Sequence, residues 1–265
     1  MARTNPLRWS ACSAFCRETL DELYAQYNHR EFIHPDPLEF VHQYRDPLDR
    51  EVVGMVASSL AYGRVQQILT SVSEVLQRMG ESPSNFVLTH SQRSIQRTLK
   101  DFRHRFTGGD QLAALLAGIK QALVKYGTLQ ACFVAHCGPK DDTILPALTE
   151  FVRELSAGAP QVMDMLLPSP RKGSACKRLN LFLRWMVRSD EVDPGGWSGV
   201  QVCKLIVPLD THMHRISLEV GLTHRKQADM QAALEVTRAF RAITPEDPVR
   251  YDFTLTRLGI HDISL

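Results

Sequence analysis

The chain has 265 residues, 44% hydrophobic and 23% charged, with a formal net charge of +2. That length carries one large domain or two small ones sharing a core, and so small a net charge makes no demand by itself for a nucleic-acid partner. Six cysteines with no C-x-x-C pair argue against a disulfide framework and for free thiols in a reducing compartment. No apolar run reaches the length of a membrane span, and the opening MARTNPLRWSACSAFCRETL has a basic start but lacks the apolar stretch of a signal peptide. A soluble cytoplasmic protein is expected, with no membrane partner.

In chain order, hydrophobic spacing is helical almost throughout. Asp46-Pro47 reads as an N-cap with proline at the first helical position. Val65, Ile68, Leu69, Val72, Leu76 and Met79 share one helix face, and Gly80 sits where that helix stops. Leu112, Leu115, Leu116, Ile119 and Leu123 repeat the pattern, as do Ile144, Leu145, Leu148, Phe151, Val152 and Leu155. A loop-rich zone at 168–173 (PSPRKG) precedes the helical run Leu179, Phe182, Leu183 and Met186. A second zone at 190–199 (DEVDPGGWSG) follows it. Ala233, Val236 and Phe240 mark a late helix. Gly221 and Gly259 read as helix stops, and Asp247-Pro248 as another capped start. Strand-like alternation is missing. An all-α protein of about a dozen helices is expected, a single two-lobed helical domain over 1–265 with its lobe boundary near 165–172.

The stretch LIVPLDTHMHRIS holds a His-x-His pair that a strand would aim at one metal ion. On a helix, residues two apart diverge. Met213, Ile216 and Val220 keep helical spacing, and Pro208 suits a central strand poorly. A helix over 211–220, capped by Asp210 or Thr211, is therefore expected, and His212 and His214 should part. A metal hydrolase using His212, His214 and the C-terminal pair His261-Asp262 is the weaker alternative. Asp210 at a helix mouth accepts backbone N–H groups and feels the positive end of the dipole, and both favour its charged form. It is either a plain cap or a fixed anion beside developing positive charge.

The segment 169–188 (SPRKGSACKRLNLFLRWMVR) places Arg171, Lys172, Lys177 and Arg178 around Gly173-Ser174, directly before an apolar helix. Small residues at a helix mouth admit anions such as phosphates, and flanking cations suit a nucleic-acid backbone. A solvated basic turn is the plainer reading. The basic run Arg93, Arg97, Lys100, Arg103 and Arg105 is either a solvated helix face or an extension of the same surface.

Together these segments resemble the helix-hairpin-helix DNA glycosylases. Members of that superfamily are all-α, with two lobes around a DNA-binding cleft. A hairpin with a glycine-containing turn leads into a helix, and a Gly/Pro loop then ends in a catalytic Asp that opens the next helix. VPLDTHMHRISLEVGL is similar to the Asp-bearing helix start, which implies a catalytic Asp210. KGSACKRLNLFL looks like the hairpin exit, which implies Lys177 as the nucleophile of bifunctional members. EVVGMVASSLAYGRVQQIL resembles the early helix that ends in a DNA-probing turn, which implies DNA contacts by Tyr62, Gly63 and Arg64. Lys172, Gly173, Ser174, Arg178, His212 and Arg215 are implied as further DNA contacts. Tyr251, Asp252, Phe253 and Trp197 are implied as base-pocket residues, with Trp185 a further aromatic to place. Over nearly its full length, notably in HPDPLEFVHQYRDPLDREVVGMVASSLAYGR and TPEDPVRYDFTLTRLGI, the chain also resembles an uncharacterised bacterial family, domain of unknown function 2400.

Where the glycosylase hairpin reads Leu-Pro-Gly-Val-Gly, only Gly173 remains here. The interval from Lys177 to Asp210 resembles that of the archaeal oxoguanine branch. No four-cysteine cluster follows Asp210, so no iron–sulfur cluster is implied, nor any metal or other cofactor. The expected function is removal of a damaged base from double-stranded DNA by a monomeric, nucleoid-associated enzyme. An oxidised purine is the substrate suggested by the longer-spaced branch, with abasic-site lyase activity if Lys177 attacks. The alternative from a different class is a noncatalytic DNA- or RNA-binding protein.

Overall fold

The computed structural model describes residues 15–159 and 164–261, with side chains through residue 257. Among the described residues it contains thirteen α-helices, three short 3-10 turns and one two-stranded hairpin. The protein is all-α, as its hydrophobic spacing requires. One contiguous cluster of buried apolar side chains runs from Leu20 to Leu255.

The central helix is α3 (Pro47–Ser59), which follows α1 (Arg17–Tyr27) and the short α2 (Leu38–Val41). Asp46 caps α3, accepting from Leu48 N at 2.9 Å and Asp49 N at 3.1 Å, with Pro47 in the first turn. Every residue from Glu51 to Ser59 is buried, so its acidic groups must be satisfied internally. Asp49 accepts from Ser84 N at 2.8 Å and Ser82 Oγ at 3.0 Å, at the start of α5 (Pro83–Thr89). Glu51 accepts from Leu129 N at 2.7 Å and Gln130 N at 2.9 Å, the first turn of α8 (Leu129–Val134). Helix N-termini favour such carboxylates. Burial still pushes Glu51 above its usual range, against those hydrogen bonds.

The amphipathic helices stand where the spacing puts them. They are α4 (Val65–Met79), α7 (Gly109–Tyr126), α9 (Leu145–Ser156), α10 (Lys177–Val187) and α12 (Met230–Ile243). Between α4 and α7 lie α5, α6 (Gln92–Thr98) and a hairpin too short to show alternation, β1 (Arg103–His104) with β2 (Thr107–Gly108). α10 packs on α3 at Gly54, where an added Cβ would stand 3.1 Å from Met186 Cε and 3.3 Å from Phe182 Cε2. α7 and α9 come closer still, because a Cβ on Gly118 would lie 1.9 Å from the Leu155 carbonyl oxygen.

Two expected boundaries move. The last helix, α13 (Asp252–His261), begins after Asp247-Pro248 rather than on it. Asp247 caps only a turn, through Val249 N at 3.3 Å, because its other oxygen accepts from Arg188 Nε at 2.9 Å. Gly259 lies inside α13 instead of ending it. The expected helix after Asp210 is α11 (Thr211–Glu219), and Gly221 follows its end at φ 77°.

Gly118→Ala raises helix propensity by about 1 kcal/mol in isolation, yet the α7–α9 contact predicts net destabilisation of about 1–3 kcal/mol. A urea melt checks this. An unchanged or raised midpoint contradicts the close approach.

Candidate active site

Asp210 leaves an extended segment with φ −98° and ψ −175° and turns directly into α11. One carboxylate oxygen accepts from Met213 N at 2.8 Å, three residues on. Its second oxygen accepts no hydrogen bond among the described residues, so the cap is only half occupied by the protein.

Lys177 is placed by a tighter device. Pro170–Lys172 form a 3-10 turn, Gly173 adopts φ 79°, and Cys176 adopts φ 49° immediately before α10. A left-handed conformation is costly for a side chain with a Cβ. Here the buried thiol holds it, lying 3.2 Å from the Pro168 carbonyl oxygen and 3.3 Å from that of Ser174. Burial pushes that thiol up to about 11. Met230 N donates to the Gly173 carbonyl at 2.9 Å, and Ser174 pairs with Asp229, so the turn is pinned to the start of α12. The left-handed conformation that glycine most readily adopts is therefore held here by Cys176.

The two segments meet. Lys177 and Asp210 line one open cleft of about 950 Å³. Lys172, Gly173, Ser174, His212, Tyr62 and Gly63 line it as well. The Lys177 amine makes no hydrogen bond or ion pair among the described residues. Lys172, by contrast, pairs with Asp164 at 2.5 Å. Behind the cleft, Asp252 is fully buried against Arg184. Burial pushes Asp252 up to about 6 against the pull of Arg184; Asp210 adds to the rise, and Lys177 opposes it.

Other expected contacts lie elsewhere, for physical reasons. Arg178 lines the cleft wall, but its guanidinium turns inward, donating to the Ser59 carbonyl at 2.7 Å and to that of Met165. It is a strut between α10 and α3 rather than a free phosphate contact. Arg215 is exposed outside the cleft, 3.9 Å from Glu219. Arg64 is exposed at the start of α4, next to the cleft-lining Gly63. The residues expected in a base pocket are core groups. Tyr251 is buried and donates to Asp21 at 2.9 Å, and Phe253 is buried with it. Trp197 donates its Nε1 to Glu51 at 2.8 Å, while Trp185 is a buried residue of α10 itself. Asp252 is sealed from the cleft by its own ion pair.

His212 faces the cleft, while His214 is buried with its Nε2 2.8 Å from the Arg225 carbonyl. The two histidines diverge, as helix geometry requires. No group of three or more metal-ligating side chains converges among the described residues. The His261 side chain and Asp262 lie outside the described residues, as does Cys12. The other five cysteines are free thiols. No described helix is long and apolar enough to cross a membrane.

The sequence reading missed the far walls, Asp164-Met165 and Gln227–Asp229. Asp229 had a legible signal as the cap of α12, accepting from Ala232 N at 2.8 Å. Its pairing with the hairpin was not readable locally. The cations Arg93, Arg97, Lys100, Arg103 and Arg105 are all exposed, and none has an ion pair among the described residues.

Burial at Cys176 predicts an inert thiol in the folded protein. At pH 8, disulfide-reagent labelling of Cys176, followed by peptide mapping, should be about a hundredfold faster after unfolding. Equal rates in folded and unfolded protein contradict the buried left-handed turn.

No curated protein and no solved structure matches the chain. One family model matches residues 36–261, and its members are described as proteins of unknown function. That match takes in the hairpin, Lys177, Asp210 and every helix from α2 to α13, and on it the chain belongs to the DUF2400 family.

Proposed function

We propose that the protein is a DNA repair N-glycosylase with abasic-site lyase activity, acting on a damaged base flipped out of a duplex. The observation that carries this reading is the shared cleft of Lys177 and Asp210. A cleft of this size, about 950 Å³, falls within the roughly 300–1,000 Å³ range of small-ligand sites. The target atom of a stacked base is out of reach, so the nucleotide must leave the helix at a cost of a few kcal/mol.

Chemistry then follows from the two side chains. As the C1′–N bond breaks, its electron pair leaves with the base and the sugar becomes oxocarbenium-like. The half-free carboxylate of Asp210 stabilises that charge once the bound duplex covers the cleft. The Lys177 amine, once neutral, adds to C1′ and gives up a proton, which the departing base anion takes up. Ring opening gives a Schiff base. Loss of a C2′ proton then expels the 3′ phosphate and nicks the strand. Lys177 has no partner to surrender before it attacks.

Duplex DNA containing an oxidised purine is the first substrate to test. In single-turnover assays, Asp210→Asn should slow base release by about 10²–10³-fold. Lys177→Ala should abolish coupled strand nicking. Wild-type rates for both variants contradict the proposal.

The noncatalytic alternative rests on a different observation, the exposed and unpaired cations from Arg93 to Arg105. Both readings predict salt-sensitive duplex binding, each phosphate contact contributing about −0.9 to the slope of log K against log salt. Arg103→Ala with Arg105→Ala should flatten that slope by about 1–2. An unchanged slope removes this face from the interface. Normal duplex binding without base release from any lesion favours the noncatalytic alternative.

A further inference from the structure

Three depressions meet at one carboxylate. Asp164 lines the cleft that holds Lys177 and Asp210. It also lines a depression of about 800 Å³ beside Lys100 and Arg103, and one of about 290 Å³ beside Arg153 and Arg171. Its surroundings are rich in cations, on the side of the molecule proposed to meet a polyanion. A carboxylate placed there repels phosphates and weakens such an interface, so its presence needs a reason.

The two other carboxylates of the cleft both cap helices. Asp210 accepts from Met213 N at 2.8 Å, in the first turn of α11. Asp229 accepts from Ala232 N at 2.8 Å, at the start of α12, and is held by Arg225 at 2.7 Å. Asp164 caps nothing. Among the described residues its side chain has one partner, the Lys172 amine. That pair is open to water, with 50% of the Asp164 side chain and 65% of the Lys172 side chain exposed. Ion pairs so exposed are weak and exchange partners readily. Of the two lysines that line the cleft, Lys177 is free and Lys172 is masked. The Lys172 backbone is fixed in the 3-10 turn before α10, so unmasking it moves side chains alone.

We propose that Asp164 is a specificity-determining residue, which holds the Lys172 amine back in the cleft and yields it only to the phosphate of a nucleotide that has entered there. The proposal rests on the nucleic-acid reading of that cleft. On an intact duplex the nucleotides stay stacked and their phosphates remain outside, beyond the reach of an amine tethered to Asp164. An extruded nucleotide carries its own phosphate along the cleft wall. The phosphate takes the ammonium in a charge-assisted contact, and the carboxylate turns out to water. One cation–phosphate contact is thereby added to the lesion complex and none to the intact one. Discrimination grows through an element that disfavours the wrong partner, with no contact to the base.

The test measures equilibrium binding of the full chain to two duplexes of one sequence, one intact and one holding a tetrahydrofuran abasic analogue. Asp164→Asn keeps the shape and removes the charge, so the freed amine can swing out to an intact backbone. It should tighten binding to intact duplex by about fivefold and steepen the slope of log K against log salt there by about 0.9. Affinity for the abasic duplex should change by less than about twofold, because the pair it loses is weak. Lys172→Ala should weaken the abasic complex and leave the intact one unchanged. Glu150→Gln is the control, since Glu150 holds Arg171, in the same turn but outside the cleft, at 3.0 Å. It should keep the wild-type ratio of the two affinities. An unchanged ratio in Asp164→Asn overturns the proposal, and so does an equal change in Glu150→Gln, which reduces the effect to net charge. If the ratio is unchanged while Asp210→Asn loses base release, the gate falls and the glycosylase reading stands. If the ratio collapses in Asp164→Asn but wild type releases no base from any lesion, the gate stands and the glycosylase reading falls.

Discussion

Two arginines at the end of α10, Arg184 in its last turn and Arg188 just beyond it, are buried among carboxylates from three other parts of the chain. Arg184 meets Asp193 and Asp252, while Arg188 meets Asp193, Asp190 and Asp247. Removing one partner from such a network strands a buried charge, at a cost of about 3–5 kcal/mol. The network fixes α10 against the 190–199 loop and the start of α13. Since Lys177 is the first residue of α10, its backbone belongs to a helix that these charges anchor at the other end. Asp252 closes the circuit, because the charge of Asp210 raises its pKa and that of Lys177 lowers it.

Rigid support at one end allows an open site at the other. The turn before α10 carries its strain at Cys176, pinned by the thiol and by the contact with Met230. Asp210 reaches the same cleft through a purely local cap. Another wall comes from Tyr62, which ties the β1–β2 hairpin to the rim. Three separately stabilised turns thus converge on one space, which is how a constellation of side chains is held in register. Among the exposed cations, Arg64 follows the cleft-lining Gly63, and Arg105 lies against that glycine.

Much of this was legible from sequence, and the division follows the range of the interactions. Helices α4, α7, α9 and α12 leave one face exposed, so their apolar spacing shows directly, whereas α10 is buried on every side from Leu179 to Val187. The Asp210 cap is a hydrogen bond to a residue three positions away, and a local rule finds it. Arg178 looked like a DNA contact because its partners, Ser59 and Met165, are distant in sequence or hidden in a loop. Tyr251, Phe253 and Trp197 looked like pocket aromatics because burial is a tertiary fact. Two-residue strands are too short for alternation to reveal, so the β1–β2 hairpin left no pattern to read.

The central claim is that the amine at position 177 and the carboxylate at position 210 act together on one sugar. Borohydride reduction of the protein on abasic-site DNA, followed by mass spectrometric mapping of the cross-linked peptide, tests it most directly. The account predicts a covalent adduct on Lys177 whose yield collapses in Lys177→Ala. An adduct mapped to another amine, or an undiminished yield in that variant, would contradict it.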